Sequence, residues 1–146
     1  MKDNRIKVLF DLDVEDDYPP VSSESLCAVM GSNNECIIDS IPFYVQGVSY
    51  GDTIEFDEEE NYYYCVNILK SGGHSTLRIV FFDKEKKEEV ITKLEQFGCS
   101  WEGMQGSSLT SLDIPPENNF NIVRDYLEEM SAQGVLDYEE PCIQHG

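Results

Sequence analysis

Short runs of β-branched and aromatic residues fill the first half of the chain, and stripes with a helical period appear only in the second. Residues 6–12 (IKVLFDL) form the first such run. Residues 25–30 form another, closed by the turn Gly31-Ser32-Asn33-Asn34, and residues 35–39 return from it. Residues 42–45 lead into Gly47-Val48-Ser49-Tyr50-Gly51-Asp52, where Gly and Asp supply turn chemistry. Residues 53–56 alternate, 57–61 make an acidic turn, and 62–69 (YYYCVNIL) read as a long strand. Strands this short and this closely spaced predict a small antiparallel sheet or partly open barrel.

The pattern changes at Ser71-Gly72-Gly73. Residues 76–82 (TLRIVFF) predict a strand. Residues 84–97 predict a helix with Val90, Ile91, Leu94 and Phe97 on one stripe and Gly98 just past its end. Residues 99–104 and 109–114 read as strands around a turn at Gln105-Gly106, and Pro115-Pro116 ends the second. A further helix over 119–133 would bury Phe120, Val123, Leu127 and Met130. Residues 136–140 make a closing edge strand ended by Pro141. The order β-α-β-β-α-β is that of the ferredoxin-like split βαβ plan. The expected fold class is therefore α+β: a β-rich half over 1–73 and a ferredoxin-like half over 74–146, together one compact unit.

Charge narrows the functional classes. The chain of 146 residues carries 29 acidic against 10 basic residues, a formal net charge of −19, with acids spread over both halves. Such a field repels nucleic acid and anionic membranes and attracts basic surfaces. Hydrophobic residues make up 40 %, with 8 Tyr and 7 Phe, which is enough to fill a core and argues against acidic disorder. Met1-Lys2-Asp3-Asn4-Arg5 runs directly into the first strand with no apolar leader. Five scattered cysteines (Cys27, Cys36, Cys65, Cys99 and Cys142) form no C-x-x-C pair. Reduced thiols in the cytoplasm are the expectation, and no membrane partner.

Three segments compete as sites. In Asp11-Leu12-Asp13-Val14-Glu15-Asp16-Asp17, strand alternation would set Asp11, Asp13 and Glu15 on one face at steps of roughly 7 Å. Hard cations favour such oxygens, but an EF-hand loop starting at Asp11 needs Gly where Asp16 stands and Glu where Ser22 stands. A solvated face or a docking face for a basic partner fits better than a metal site. The second run, Asp57-Glu58-Glu59-Glu60, precedes Tyr62-Tyr63-Tyr64. It is a solubilising hairpin tip, or else a protein-binding patch in which carboxylates orient Lys and Arg while rings supply contact area. The third, residues 71–78, offers His74 as base or ligand, Ser75 as nucleophile and Arg78 as anion clamp. The plainer account is a glycine-permitted turn into a strand, with Arg78 paired to a carboxylate and His145 in a frayed tail. No P-loop, dinucleotide fingerprint or zinc spacing is present, so no cofactor, metal or catalytic residue is assigned.

Several segments together carry a resemblance: Ser23-Glu24-Ser25-Leu26, Ile41-Pro42-Phe43-Tyr44, residues 47–52 (GVSYGD), residues 71–78 (SGGHSTLR), Gly98-Cys99 and Leu112-Asp113-Ile114-Pro115. In this order they resemble an uncharacterised bacterial family known only as a domain of unknown function. Cys27, where that pattern has tryptophan, and the additional Gly73 depart from it. The resemblance supplies no activity. It implies a compact bacterial cytoplasmic protein, with relatives near toxin and immunity loci.

The functional expectation is a non-enzymatic, acidic protein-binding protein. Its concrete form is a bacterial immunity or inhibitor protein that neutralises a basic toxin, such as a nuclease, by covering its cationic surface. Partner binding is assigned to Asp13, Glu15, Asp16, Asp17, Asp57, Glu58, Glu59, Glu60 and Tyr62, with Glu128 and Glu129 as a fallback. The alternative is a small-molecule or enzymatic site at His74, Ser75 and Arg78.

Overall fold

In the computed structural model, which describes residues 4–103 and 107–145, β1 (Arg5–Asp11), β2 (Ser23–Met30), β3 (Glu35–Ile38), β4 (Thr53–Glu59) and β5 (Tyr62–Lys70) follow one another around a barrel. Alternation sets the inward row: Val8, Phe10, Leu26, Ala28, Cys36, Ile38, Ile54 and Phe56 are buried in one cluster. The acidic tip between β4 and β5 is a two-residue turn. Glu60 and Asn61 both have positive φ there, and Glu59 pairs with Tyr62. The sequence predicted a small antiparallel sheet or a partly open barrel. The ring is closed by parallel pairing of β1 with β5, through only two residue pairs, Val8 with Tyr63 and Leu9 with Tyr64.

The second half contributes β6 (Ser75–Phe81), α1 (Lys87–Gln96), β7 (Ser100–Gly103), β8 (Leu109–Ile114), α2 (Phe120–Ala132) and β9 (Leu136–Cys142). The sheet order is β7-β8-β6-β9, with every neighbouring pair antiparallel. α1 starts three residues later than its periodicity suggested, because residues 83–87 form turns anchored on Asp83. α2 begins where Asn119 Oδ1 accepts from the amides of Asn121 and Ile122. The turn expected at Gln105-Gly106 lies outside the described residues. β9 runs through Pro141 instead of stopping before it; it is an edge strand paired with β6, so a missing outward N–H is tolerated, and Pro141 O accepts from Gly47 N at 3.0 Å.

Leu77, Ile79 and Phe81 of β6 pack with Leu112 and Ile114 of β8 against Val90, Ile91 and Leu94 of α1 and Val123 and Leu127 of α2. Truncating any of these would cost about 2–5 kcal/mol. Yet every residue of β8 is buried, and all of β6 except Val80. The reason is a cover on the other face. The β3–β4 connection, residues 39–52, crosses it: Arg78 Nη1 donates to Phe43 O at 2.6 Å, Ser111 Oγ donates to Ile41 O at 3.2 Å, and Ser49 Oγ meets Thr76 Oγ1 at 2.6 Å. The sheet is thus a middle layer between helices and this connection. No described helix is long and apolar enough to cross a membrane.

Candidate functional site

Where the connection meets the sheet, polar groups are paired almost completely. The Glu24 carboxylate accepts from the successive amides of Phe43, Tyr44 and Val45 at 2.8–3.0 Å, pinning the loop to β2. Asp52, fully buried, accepts from Ser49 N and Gly72 N, both at 2.9 Å, and from the Gln144 side chain. Gln144 Oε1 in turn accepts from Gly73 N at 2.8 Å. Gly72 packs so closely on Gly51 that a Cβ would lie 2.5 Å from Gly51 O. Most of the segments that carried the resemblance therefore meet here, and their polar atoms hold one another; Gly98-Cys99 lies apart, at the end of α1.

His74, Ser75 and Arg78 share a strand region but not a cavity. His74 Nδ1 lies 3.0 Å from both oxygens of Asp113, its ring is edge-on to Tyr50, and a Cβ on Gly51 would come within 3.3 Å of Nε2. Burial pushes the Asp113 carboxyl above its ordinary range, and His74 only partly opposes this. Ser75 falls in the alternation of Leu77 and Ile79, toward the helices. Its Oγ accepts from Gln144 N at 2.9 Å and His145 N at 3.3 Å and bonds His145 Nδ1 at 2.6 Å. His145 is accordingly no frayed residue. It stacks on Phe120 and donates from Nε2 to Pro115 O at 2.9 Å. No local cue points to this, because its partners lie 30 and 70 residues away. Arg78 is buried, bonded to Glu139 and Phe43 O, and lies over the rings of Tyr18 and Tyr44. Its charge is already matched.

The acidic segments are arranged differently. β1 ends at Asp11, and Glu15 pairs with Tyr18 across a turn in which Asp16 and Asp17 have positive φ, so the alternating face expected for Asp11, Asp13 and Glu15 is not continued. Among the described residues no group of three or more His, Cys, Asp or Glu is placed to hold a metal ion. Two adjoining clefts run along the β1–β5 seam. One, of about 570 Å³, is bordered by Asp11, Glu59, Tyr62 and Tyr64. The other, of about 630 Å³, is bordered by Asp13, Glu15, Asp16, Tyr18, Tyr44 and Arg78. They share Phe10, Asp11, Cys65 and Ile68 and so form one groove. Of the predicted binding residues, Asp13, Glu15, Asp16, Glu59 and Tyr62 border it. Asp17, Asp57, Glu58 and Glu60 do not; Asp57 instead accepts from Glu58 N and the Tyr64 hydroxyl. Glu128 accepts from the Tyr138 hydroxyl on the helical side.

All five cysteines are free. Burial pushes the Cys36 thiol up to about 11 and the Cys99 thiol up to about 12, which leaves both protonated and unreactive at neutral pH. Sequence reasoning missed Glu24 and Asp52 as loop anchors. It also passed over residues 65–69, where Val66, Ile68 and Leu69 are all exposed. Their cue was apolar side chains at both odd and even positions of a strand with water on one side.

A family model described as Domain of unknown function (DUF4265) matches residues 24–138, across both sheets. The chain belongs to this family. A crystal structure of a hypothetical protein from Neisseria gonorrhoeae is similar over 100 % of this chain and 99 % of that one, with a TM-score of 0.81 at 17 % identity. At that identity the likeness speaks for the fold alone and not for a shared family or activity. No match is found among curated proteins.

Proposed function

We propose that this chain is a non-enzymatic, acidic protein-binding protein that docks a basic protein partner. Its most concrete form is a bacterial immunity or inhibitor protein that covers the cationic substrate surface of a toxin such as a nuclease. One observation carries the reading: two acidic runs 40 residues apart in sequence border two adjoining clefts on the β1–β5 seam, with tyrosines along them. Carboxylates at a groove rim steer and orient Lys and Arg, and tyrosines add contact area at little entropic cost. The net charge of −19 supports a basic protein over nucleic acid or an anionic membrane. Five free thiols support a reducing, cytoplasmic setting. The strand order β7-β8-β6-β9 with two helical crossovers supports reading residues 74–146 as a ferredoxin-like half beside a β-rich half over 1–73.

The reading centred on His74, Ser75 and Arg78 has less support. Ser75 is buried with its hydroxyl engaged, and Arg78 already faces Glu139. The test is co-purification from the native host with mass spectrometry, then capture of the partner found by two variants. One carries Asp13→Lys, Glu15→Lys and Asp16→Lys; the other carries Glu59→Lys. Surface changes of this kind typically move stability by about 0.5 kcal/mol or less. Capture should fall at least tenfold with the melting temperature held. Undiminished capture by both variants would reduce the acidity to a solubility device.

A further inference from the structure

β5 is nine residues long, yet β1 accompanies it for only two pairs, ending at Leu9 with Tyr64. Continued in the same register, Phe10 and Asp11 would pair with Cys65 and Val66. Instead β1 swings away, with Leu12 N donating to Ser22 O on the β2 side at 2.9 Å. The 570 Å³ cleft opens in the angle between the two strands. On its other edge β5 stays bonded to β4, as far as Thr53 with Lys70. Among the described residues no strand pairs with the outer edge of β5 beyond Tyr64. The side chains there are apolar and open to water: Val66, Ile68 and Leu69 are 45 %, 52 % and 49 % exposed.

An exposed apolar strand edge is a template for another strand, and proteins normally blunt such an edge or use it. Here the charge around it selects the occupant. Asp11, Asp13, Glu15, Asp16 and Glu59 border the groove, and the Arg78 that also borders it is already paired with Glu139. A second copy of this chain would bring another −19 against the same edge, and like charges suppress that pairing. A basic segment meets no such barrier. At about 3.3 Å per residue, the free stretch from Cys65 to Leu69 accommodates roughly five or six residues of extended chain.

We propose that the outer edge of β5 takes up an extended, basic segment of the partner protein as an added strand, with alternating Lys or Arg and apolar side chains, seated between β5 and the diverging end of β1. This rests on the acidic-groove reading and specifies how that groove binds. Backbone hydrogen bonds to β5 supply the affinity, Val66, Ile68 and Leu69 supply apolar contact, and the carboxylates choose the charge.

The test uses the full chain and three eight-residue peptides: alternating Lys and Val, the same peptide N-methylated at every Lys, and the same N-methylated at every Val. Charge is identical in all three, but each methylated form loses the backbone donors of one edge. Successive residues of a strand direct their N–H groups to opposite edges. One methylated peptide should therefore bind at least tenfold more weakly than the parent, while the other stays close to it. The parent should also slow amide exchange at least tenfold at those of Val66, Asn67, Ile68 and Leu69 whose N–H faces the open edge, the β4–β5 register shifts at Val66 and Leu69 interrupting strict alternation. Equal binding by all three peptides, or parent binding that leaves those amides unprotected, would overturn strand addition and leave the acidic groove standing. Absence of binding by every peptide at low salt would overturn both.

Discussion

Ser75 Oγ lies 2.6 Å from His145 Nδ1, and the far side of the same ring fixes which atom carries the proton. His145 Nε2 faces the carbonyl of Pro115, which can only accept, so Nε2 donates. In the neutral ring Nδ1 is then the acceptor, and Ser75 donates to it. The hydroxyl already accepts from the amides of Gln144 and His145. A serine engaged in this way is a clamp on the C-terminal segment and not a nucleophile held ready.

Ser75→Ala should therefore lower stability, by about 1–3 kcal/mol, because it leaves the Gln144 amide and the His145 ring nitrogen without partners. Urea denaturation measures the loss. Amide exchange at Gln144 should quicken well before global unfolding. An unchanged denaturation midpoint would mean that the clamp contributes nothing.

Asp113 gives a pH signature. Its carboxyl is raised above the ordinary 3.8, chiefly by burial. The folded chain thus holds this proton more tightly than the unfolded chain does. That contribution is full below the unfolded value and is lost as pH rises through the folded one. Asp113→Asn removes the ionisation and keeps an acceptor for His74 Nδ1. The stability of the variant minus that of the parent protein should increase as pH rises from about 4. Paired urea titrations at fixed ionic strength read this difference, and a flat line would show a carboxyl that ionises as freely folded as unfolded.

Two glycines separate a close approach from mere backbone freedom. Gly134 has φ +76° and nothing within 4 Å of a built Cβ, so Gly134→Ala should cost only the left-handed conformation, about 1 kcal/mol. At Gly72 the added carbon would lie 2.5 Å from Gly51 O, a backbone atom that cannot rotate aside. Gly72→Ala should cost at least twice as much, seen as a correspondingly larger drop in melting temperature. Equal drops would mean that the Gly51–Gly72 contact yields easily.

The elements of the fold were legible because their signals are local. Val90, Ile91 and Leu94 mark α1 and Val123 and Leu127 mark α2 by spacing alone, and the acidic turn expected over 57–61 is present but narrower, at Glu60-Asn61, because β4 runs on to Glu59. The junction was not legible in the same way. Glu24 reads as one acid among 29 until residues 43–45 fold onto it, and nothing near Asp52 in sequence points to Gln144, 92 residues away. The acidic groove was half visible. Its carboxylates and Tyr62 stand out in composition, but the meeting of the two runs depends on β1 lying beside β5, a pairing across more than 50 residues. The alternation expected through Glu15 failed for a local reason, the turn at Asp16-Asp17.

The layer formed by residues 39–52 also bears on how such a sequence can drift. Within each apolar cluster, side chains of similar volume can replace one another with little consequence for the other cluster. Between the connection and the sheet the contacts are directional and paired: Ser49 with Thr76, Ile41 O with Ser111, Phe43 O with Arg78. Losing the Ser111 hydroxyl or the Arg78 guanidinium strands a backbone carbonyl that no substitution removes, so those two side chains are held, and only Ser49 and Thr76 can change as a matched pair. The cores tolerate swaps that keep volume, while the seam between them is held residue by residue by its hydrogen bonds.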